Sequence, residues 1–459
     1  MTLLRALNIG VNGLTAASLG SAVTGHNITN ANTEGYSRQQ IDQRARPLHY
    51  GGGVEARDPL RIADQFADRR LNDANSQDGQ ASARAGILGA LDRVFSEDAG
   101  SVGLALDEFH SALTELTTNP SDGATRSKVL AAAEQLTLAF NRAAAGLNEA
   151  RVEANDRIEL EVTQVNDQLK QIGDLNTQIM QAGNAGQDAA TLIDTRDQLV
   201  RQVAKRVPVT VIAGPSETVN VLLGGSRTLV ADNGEVSELV TKVDANGNRQ
   251  VLRTASTGAE DISSLLTSGS LSGYIDARDG ALADAASALD QLAYDVSEAY
   301  NAVHATGYGK DGITGRNLFE ALSGPTGAAA AMAVSADVKG QPDALAAGAV
   351  SGVAGDNRVA LQLTDLAQGK LALGGTATAS GALADLVGQV GTAVQSANGR
   401  AEFASLSLDQ AQRLRDDVSG VSTDEEMVNL MRYQRAYQAS LRVIETADQM
   451  LAELLSMRR

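Results

Sequence analysis

Three features of the sequence predict a mainly α, elongated fold with a β-rich insertion. Both ends are long proline-free stretches with heptad spacing, and a third stretch of the same kind lies in the middle. A block of short β-branched runs between turn residues interrupts them from Pro208 onward. The N- and C-terminal helices are expected to pair in a coiled-coil-like inner domain, with a helical rod-like body and a small outer β domain. The expected division is 1–35 with 420–459 for the terminal helical domain. Residues 36–206 with 265–419 form a mainly helical body with some short strands, and 207–264 form the β-rich insertion.

In the first segment Leu4, Leu7, Val11, Leu14, Ser18, Ser21, Gly25 and Ile28 recur at alternating steps of three and four, a seam that is apolar at its start and small in its middle. The stretch "NITNANTEGYSRQQ", Asn27 to Gln40, then reads as a joint. Asn27, Asn30 and Asn32 are weak helix formers whose side chains satisfy freed backbone groups, and Gly35 permits a positive φ. Tyr36 is expected to anchor the emerging chain against a neighbour.

Ile158, Val162, Val165, Leu169, Ile172, Asn176 and Ile179 carry the middle helical pattern, and Leu192, Leu199 and Val203 resume it after "AGNAG", which predicts a long hairpin. "PVTVIA", "TVNVLLGG", "RTLVADNG" and "RQVLRTAS" read as strands, with "DANGN" as a hairpin turn. A helix is expected over Gly280 to Val303, and short strands with loops over Gly312 to Gly381. The last segment repeats the seam at Leu430, Gln434, Tyr437, Leu441, Ile444, Asp448, Leu451 and Leu455, widened by Met427, Tyr433 and Ala447. Its start has capping-box spacing at Ser422 and Glu425 or at Thr423 and Glu426, with Arg458 and Arg459 at the opposite end.

Composition narrows the function classes. Lys plus Arg total 38 against 56 for Asp plus Glu, a formal charge of -18 without a basic run, which disfavours nucleic acid and anionic membrane as partners. No apolar run reaches the ~18 residues of a membrane span, and Asn8, Gly10, Asn12 and Gly13 break any secretory h-region. By default this reads as a cytoplasmic protein.

The chain has no Cys, and its four histidines, His26, His49, His110 and His304, lack metal-ligand spacing and read as surface or interface residues. "DANGN" lacks the bidentate Glu of a calcium loop, since Arg253 stands there. "LLGGSR" and "LVGQVG" lack a Walker lysine, and Asn27-Ile28-Thr29 is a chance glycosylation match. No catalytic residue, cofactor or metal is therefore expected.

The two ends together resemble the axial proteins of the bacterial flagellum. The N-terminal signature of that group is A-N-x-x-T-P-G-Y or a close variant, matched here at Asn30, Ala31, Asn32, Thr33, Gly35 and Tyr36. Glu34 stands where Pro is usual, and His26 where Asn is more typical. "SGVSTDEEM" followed by "NLMRYQ", together with Gly269 to Gly307, is similar to the FlgK family of hook-associated proteins, found at the first hook-filament junction.

The resemblance implies a structural protein that catalyses no reaction, assembling as a ring on the distal end of the hook and adapting hook to filament. Implied partners are copies of itself in a ring or helical assembly, hook protein, the second hook-filament junction protein (hook-associated protein 3) and an export chaperone before secretion. No nucleic acid and no membrane insertion are implied. The location becomes extracellular, reached through the flagellar type III apparatus without a cleaved signal peptide.

The seam positions Leu4, Leu7, Val11, Leu14, Ile28, Met427, Leu430, Tyr433, Tyr437, Leu441, Ile444, Leu451 and Leu455 then become the expected assembly interface. The segments before about Asn30 and after about Thr423 are expected to order only when neighbours cover them. A hook or rod component, and a type III-secreted adhesin or flagellum-borne enzyme, stay open as other readings.

Overall fold

The computed structural model describes residues 2–47, 52–95, 101–185, 187–255 and 258–457. His49, Arg458 and Arg459 lie outside the described residues. The chain runs α1 (Thr2–Thr29), β1 (Gln39–Ala45), β2 (Val54–Arg61), α2 (Gln65–Val94), α3 (Val102–Thr118), α4 (Gly123–Ala185) and α5 (Ala190–Arg206). Six strands follow: β3 (Val209–Ala213), β4 (Val219–Leu223), β5 (Arg227–Val230), β6 (Leu239–Val243), β7 (Arg249–Ala255) and β8 (Gly258–Asp261). The remainder is α6 (Gly269–Asp276), a π-helical turn (Ala277–Leu282), α7 (Ala283–His304), α8 (Ala328–Ala331), α9 (Arg358–Asp365), α10 (Ala379–Ser419) and α11 (Thr423–Ser456). This is a mainly α fold with small antiparallel sheets in an insertion.

The chain divides into two compact units, the first comprising Met1–Gly79, Glu161–Gly269 and Phe403–Arg459, the second Gln80–Leu160 and Ser270–Glu402. Helices α2, α4 and α10 contribute residues to both.

In the first unit α4 and α5 form the antiparallel hairpin that the heptad pattern predicts, tied by Gln168 Nε2 to Gln202 Oε1 at 2.9 Å and by Arg206 Nη2 to Gln164 Oε1 at 2.6 Å. The β block forms two three-stranded antiparallel sheets, β3-β4-β5 and β6-β7-β8. "DANGN" makes the β6–β7 turn: Asp244 Oδ1 accepts from the Asn246 and Asn248 amides, and Gly247 takes φ 79°. Two asparagines on α4 hold these sheets. Asn166 Nδ2 donates to Leu239 O (2.7 Å) while its Oδ1 accepts from Leu239 N–H (2.8 Å). Asn176 grips Val219 through the same two atoms, at 2.7 and 3.3 Å.

The second unit is built on a continuous apolar core from α2, α3, α4, α7, α9 and α10. At its centre Phe109, Tyr300 and Phe319 meet edge to face, with ring centroids 5.1 to 6.4 Å apart. Asn301 repeats the asparagine arrangement, pairing both its polar atoms with the backbone of Phe319 at 3.0 and 2.8 Å.

Two expectations need correction here. Short strands were expected over 312–381. Among the described residues that region contains isolated bridges, a 3-10 turn (Pro342–Ala344), the helices α8 and α9 and the first residues of α10 within its loops, because side-chain bonds from α7 and Arg126 fix its backbone in place of a ladder. The histidines were expected at surface or interface positions. His304 is instead buried, 1% exposed, at the end of α7. Its Nδ1 lies 2.7 Å from Arg316 O and its Nε2 accepts from Ala346 N–H at 2.9 Å, so the ring is a neutral Nδ1–H tautomer fastening two loop segments. His110 is half-buried beside Tyr300, and among the described histidines only His26 is exposed.

Burial holds His304 below its ordinary 6.5, with the Arg316 charge acting in the same direction against the hydrogen bond to Arg316 O, and burial lowers His110 likewise. Below pH 6.5 the unfolded chain takes up protons that the folded core refuses, so stability is complete above that pH and declines beneath it. Thermal melts between pH 7.5 and 5.5 should show a falling Tm. A His304→Gln variant should start lower at pH 7.5 and decline less steeply, and an equal slope would remove His304 from this account.

Candidate functional site

The terminal segments expected to form the assembly interface meet in the first unit. Helix α1 packs against α11, and the order of the contacts shows that the two run antiparallel. Gly10 faces Ile444, Gly13 faces Ser440 and Gly20 faces Tyr433. A methyl group added at Gly20 would fall 2.5 Å from Tyr433 Cε1, and one at Gly10 would fall 2.7 Å from Ile444 Cγ1. Close approach therefore depends on glycine, and Ala16, Ala17, Val23 and Thr24 complete the buried strip.

This strip lies one residue earlier than the apolar seam of the sequence. Leu4 (65% exposed) and Val11 point out of the pair, while Leu7, Leu14 and Ile28 are half-buried at its edge. On α11, Ala447 is buried, and Leu430, Tyr433, Ser440, Ile444 and Leu451 are half-buried. Met427, Tyr437, Leu441 (37% exposed) and Leu455 are exposed. Small residues set the contact because helix backbones approach most closely where side chains are absent, which leaves the larger apolar residues along the flanks.

The joint closes this pair at one end. Asn30 Nδ2 donates to His26 O at 3.0 Å, Thr29 Oγ1 to Gly25 O at 3.0 Å, and Thr33 N–H to Asn30 O at 2.9 Å, satisfying the last carbonyls of α1. Gly35 turns the chain at φ 81°. Ala31 is half-buried, whereas Asn32, Thr33 and Glu34 are exposed.

Within its own chain Tyr36 is anchored at the joint: its hydroxyl donates to Asn27 Oδ1 at 2.7 Å and lies 3.0 Å from His26 Nδ1. Burial first, and then the Asp194 and Glu426 carboxylates, push the phenol well above its ordinary 10, so it stays a donor.

Asn27 is the centre of the joint. Its Oδ1 accepts from Gln39 N–H (3.0 Å), and its Nδ2 donates to Gln39 O (2.9 Å) and to Glu426 Oε2 (3.1 Å). Glu426 is 2% exposed in the first turn of α11, where the helix dipole favours its charge, and Arg38 binds its Oε1 through Nε and Nη2 at 2.9 and 2.8 Å. Of the two capping alternatives the Ser422 one forms, with Glu425 N–H donating to Ser422 Oγ at 3.5 Å.

Further supports converge from elsewhere in the unit. Ser37 N–H donates to Asp194 Oδ2 (3.0 Å), whose other oxygen receives Arg61 Nε (2.7 Å), and Arg415 Nη2 reaches Gly35 O and Ser37 Oγ at 3.0 and 2.9 Å. The polar groups of the joint are paired with one another, so its chemistry is that of a fastener between chain segments.

Sequence reasoning noted Asn27 as a poor helix former whose side chain satisfies freed backbone groups, without its partners, and passed over Arg38, Gln39, Arg61, Asp194 and Arg415 altogether. Glu426 entered only as a possible capping residue. An uncharged polar residue at heptad spacing from Gly13 and Gly20 was the signal available.

Comparison with known proteins follows this architecture. The flagellar hook-associated protein FlgK helical domain model matches residues 88–319, half of the chain. The chain belongs to the FlgK family. A second model, the flagellar basal body rod FlgEFG protein C-terminal, matches 417–457, the α11 segment with its joint contacts.

Flagellar hook-associated protein 1 of Bacillus subtilis is 28% identical over 96% of both chains. The Salmonella typhimurium protein of the same name is 26% identical over 98% of this chain and 99% of that one. The structure of the FlgK flagellar hook junction protein from Burkholderia pseudomallei superposes with a TM-score of 0.67 at 17% identity, over 76% of this chain and all of that one, and shares the fold.

Removing the Asn27 amide should destabilise this FlgK-family joint by about 3 kcal/mol, since Gln39 and Glu426 lose buried partners. Urea unfolding of Asn27→Ala, with faster hydrogen exchange at Gln39, measures this, and an unchanged midpoint would contradict it. Gly20→Ala should splay α1 from α11 and, by loosening the helix around the already exposed Arg432 and Arg435, speed tryptic cleavage there. Gly13→Ala should be milder, because the Ser440 hydroxyl can rotate away.

Proposed function

We infer that the protein is a structural component of the bacterial flagellum, a hook-filament junction protein whose copies assemble as a ring on the distal end of the hook and adapt it to the filament. The observation that carries this reading is the width of the apolar arc on α11. Tyr433, Ser440 and Ala447 face α1, while Met427, Leu441 and Leu455 on one flank and Val443, Met450 and Met457 on the other remain exposed. An arc this wide is the pattern of a helix packed by more than one neighbour.

The complementary surface is present on the same chain. Leu4 and Val11 continue an outward apolar stripe along α1 with heptad spacing, so a second copy offers what the first lacks. The interface residues are accordingly Leu4, Leu7, Val11, Leu14, Ile28, Met427, Leu430, Tyr433, Tyr437, Leu441, Ile444, Leu451 and Leu455. Asn30, Ala31, Asn32, Thr33, Gly35 and Tyr36 form the joint at the end of α1.

Family membership supports hook protein on one side and hook-associated protein 3 on the other, an export chaperone beforehand, and export through the flagellar type III apparatus to the cell exterior. The rod-protein match at 417–457 favours a terminal module shared among axial proteins, and the longer match at 88–319 favours the hook-associated reading over a rod component. No helix among the described residues is long and apolar enough to cross a membrane.

Leu441→Asp tests the reading, because its side chain leaves the folded chain's own core untouched. Stability should change by less than ~0.5 kcal/mol. Immunogold labelling of hook ends and swimming in soft agar should both be lost, whereas Leu441→Met should retain them. Normal labelling by Leu441→Asp would exclude this flank as a buried contact.

A further inference from the structure

We propose that Met427, Met431, Met450 and Met457 make the α11 flanks a reversible oxidation site, at which conversion to methionine sulfoxide blocks docking of a second copy of the chain. The proposal rests on the assembly reading above.

The chain contains seven Met and no Cys, so thioethers are its only oxidisable sulfur. Three of the seven lie on α11 and a fourth, Met457, caps its C-terminus, and all four are 42% to 79% exposed. Elsewhere Met332 is buried in the core of the second unit and Met180 on α4 is half-buried.

Their positions on α11 match the uncovered arc. Met427 shares a flank with Leu441 and Leu455, and Met431 lies one turn along from it. Met450 and Met457 share the opposite flank with Val443. None belongs to the strip that interlocks with the α1 glycines. An unbranched thioether suits a surface that must repack against a neighbour, and the same exposure opens it to oxidants before a neighbour covers it.

The step requires a peroxide and no enzyme. A sulfur lone pair attacks one oxygen of hydrogen peroxide, the O–O bond breaks as the S–O bond forms, and the remaining oxygen leaves as water after proton transfer. Sulfur is oxidised by two electrons and the peroxide is reduced. The product places a polar S=O on an apolar flank, where docking buries it with no donor supplied. The α1–α11 strip and the Asn27–Glu426 fastener contain no methionine, so the oxidised chain keeps its fold and loses its docking surface.

The test uses purified full-length protein treated with hydrogen peroxide, with the four sites followed by mass spectrometry. Association between copies of the chain is read by chemical cross-linking together with sedimentation, with isolated hooks that lack this chain as the seed. Untreated protein should bind. Protein oxidised at all four sites should bind at least tenfold less with an unchanged circular dichroism spectrum, and methionine sulfoxide reductases A and B together should restore binding.

The combined Met→Leu variant at 427, 431, 450 and 457 should bind before and after peroxide. Undiminished binding by fully oxidised protein overturns the proposal, as does a Met→Leu variant that remains peroxide-sensitive. Failure of untreated protein to bind overturns the assembly reading itself. The reductase arm keeps the proposal testable on the natural sequence if the variant misfolds.

Discussion

One interaction recurs at four places where an extended segment is fixed to a helix: an asparagine amide that pairs with both the N–H and the C=O of a single residue. Asn27 holds Gln39, Asn166 holds Leu239, Asn176 holds Val219 and Asn301 holds Phe319. Each amide imitates the next strand of a ladder, so a strand can end against a helix without leaving its outward backbone groups unpaired. Asn is ~0.5 kcal/mol poorer than Ala in a helix interior, and two buried hydrogen bonds at ~1 kcal/mol each outweigh that. The strands β1, β4 and β6, five to seven residues long, are thereby given a fixed place.

At the joint this device is joined by charge. Asn27 links the end of α1, the start of β1 and the first turn of α11 through Glu426, and Arg38 completes the set. The pairing of the terminal helices and the path of the chain away from them are therefore fixed by the same few atoms. Along the helices themselves the constraint is steric. Gly10, Gly13 and Gly20 allow a close antiparallel approach, and the larger apolar side chains are displaced to the flanks, where the single chain leaves them uncovered.

Much of this was legible beforehand. Heptad spacing located α1, α11 and the α4–α5 hairpin, and β-branched runs between turn residues located four of the six strands that follow α5, namely β3, β4, β5 and β7. "DANGN" and Gly35 announced their turns because only a few residue types adopt a positive φ. The helices α2 and α3, and the start of α4, passed without notice, although α3 carries a helical apolar stripe through Leu106, Phe109, Leu113 and Leu116. The seam on α1 was read one residue late because leucine and valine dominate a hydrophobic pattern, whereas the contact is made by glycine, which leaves no hydrophobic mark. His304 looked like a surface residue because nothing local reveals that two loops distant in sequence will close over it.

The sequence by itself determined the helical character of both ends, the place and size of the β insertion, and the family signature, because periodicity, turn chemistry and motif spacing are local properties of the chain. Only the tertiary structure decided which face of α1 meets α11, which carboxylate Asn27 engages, and which apolar residues remain uncovered. Those outcomes depend on the distance between backbones and on the pairing of polar atoms up to 399 positions apart, and no local pattern encodes either.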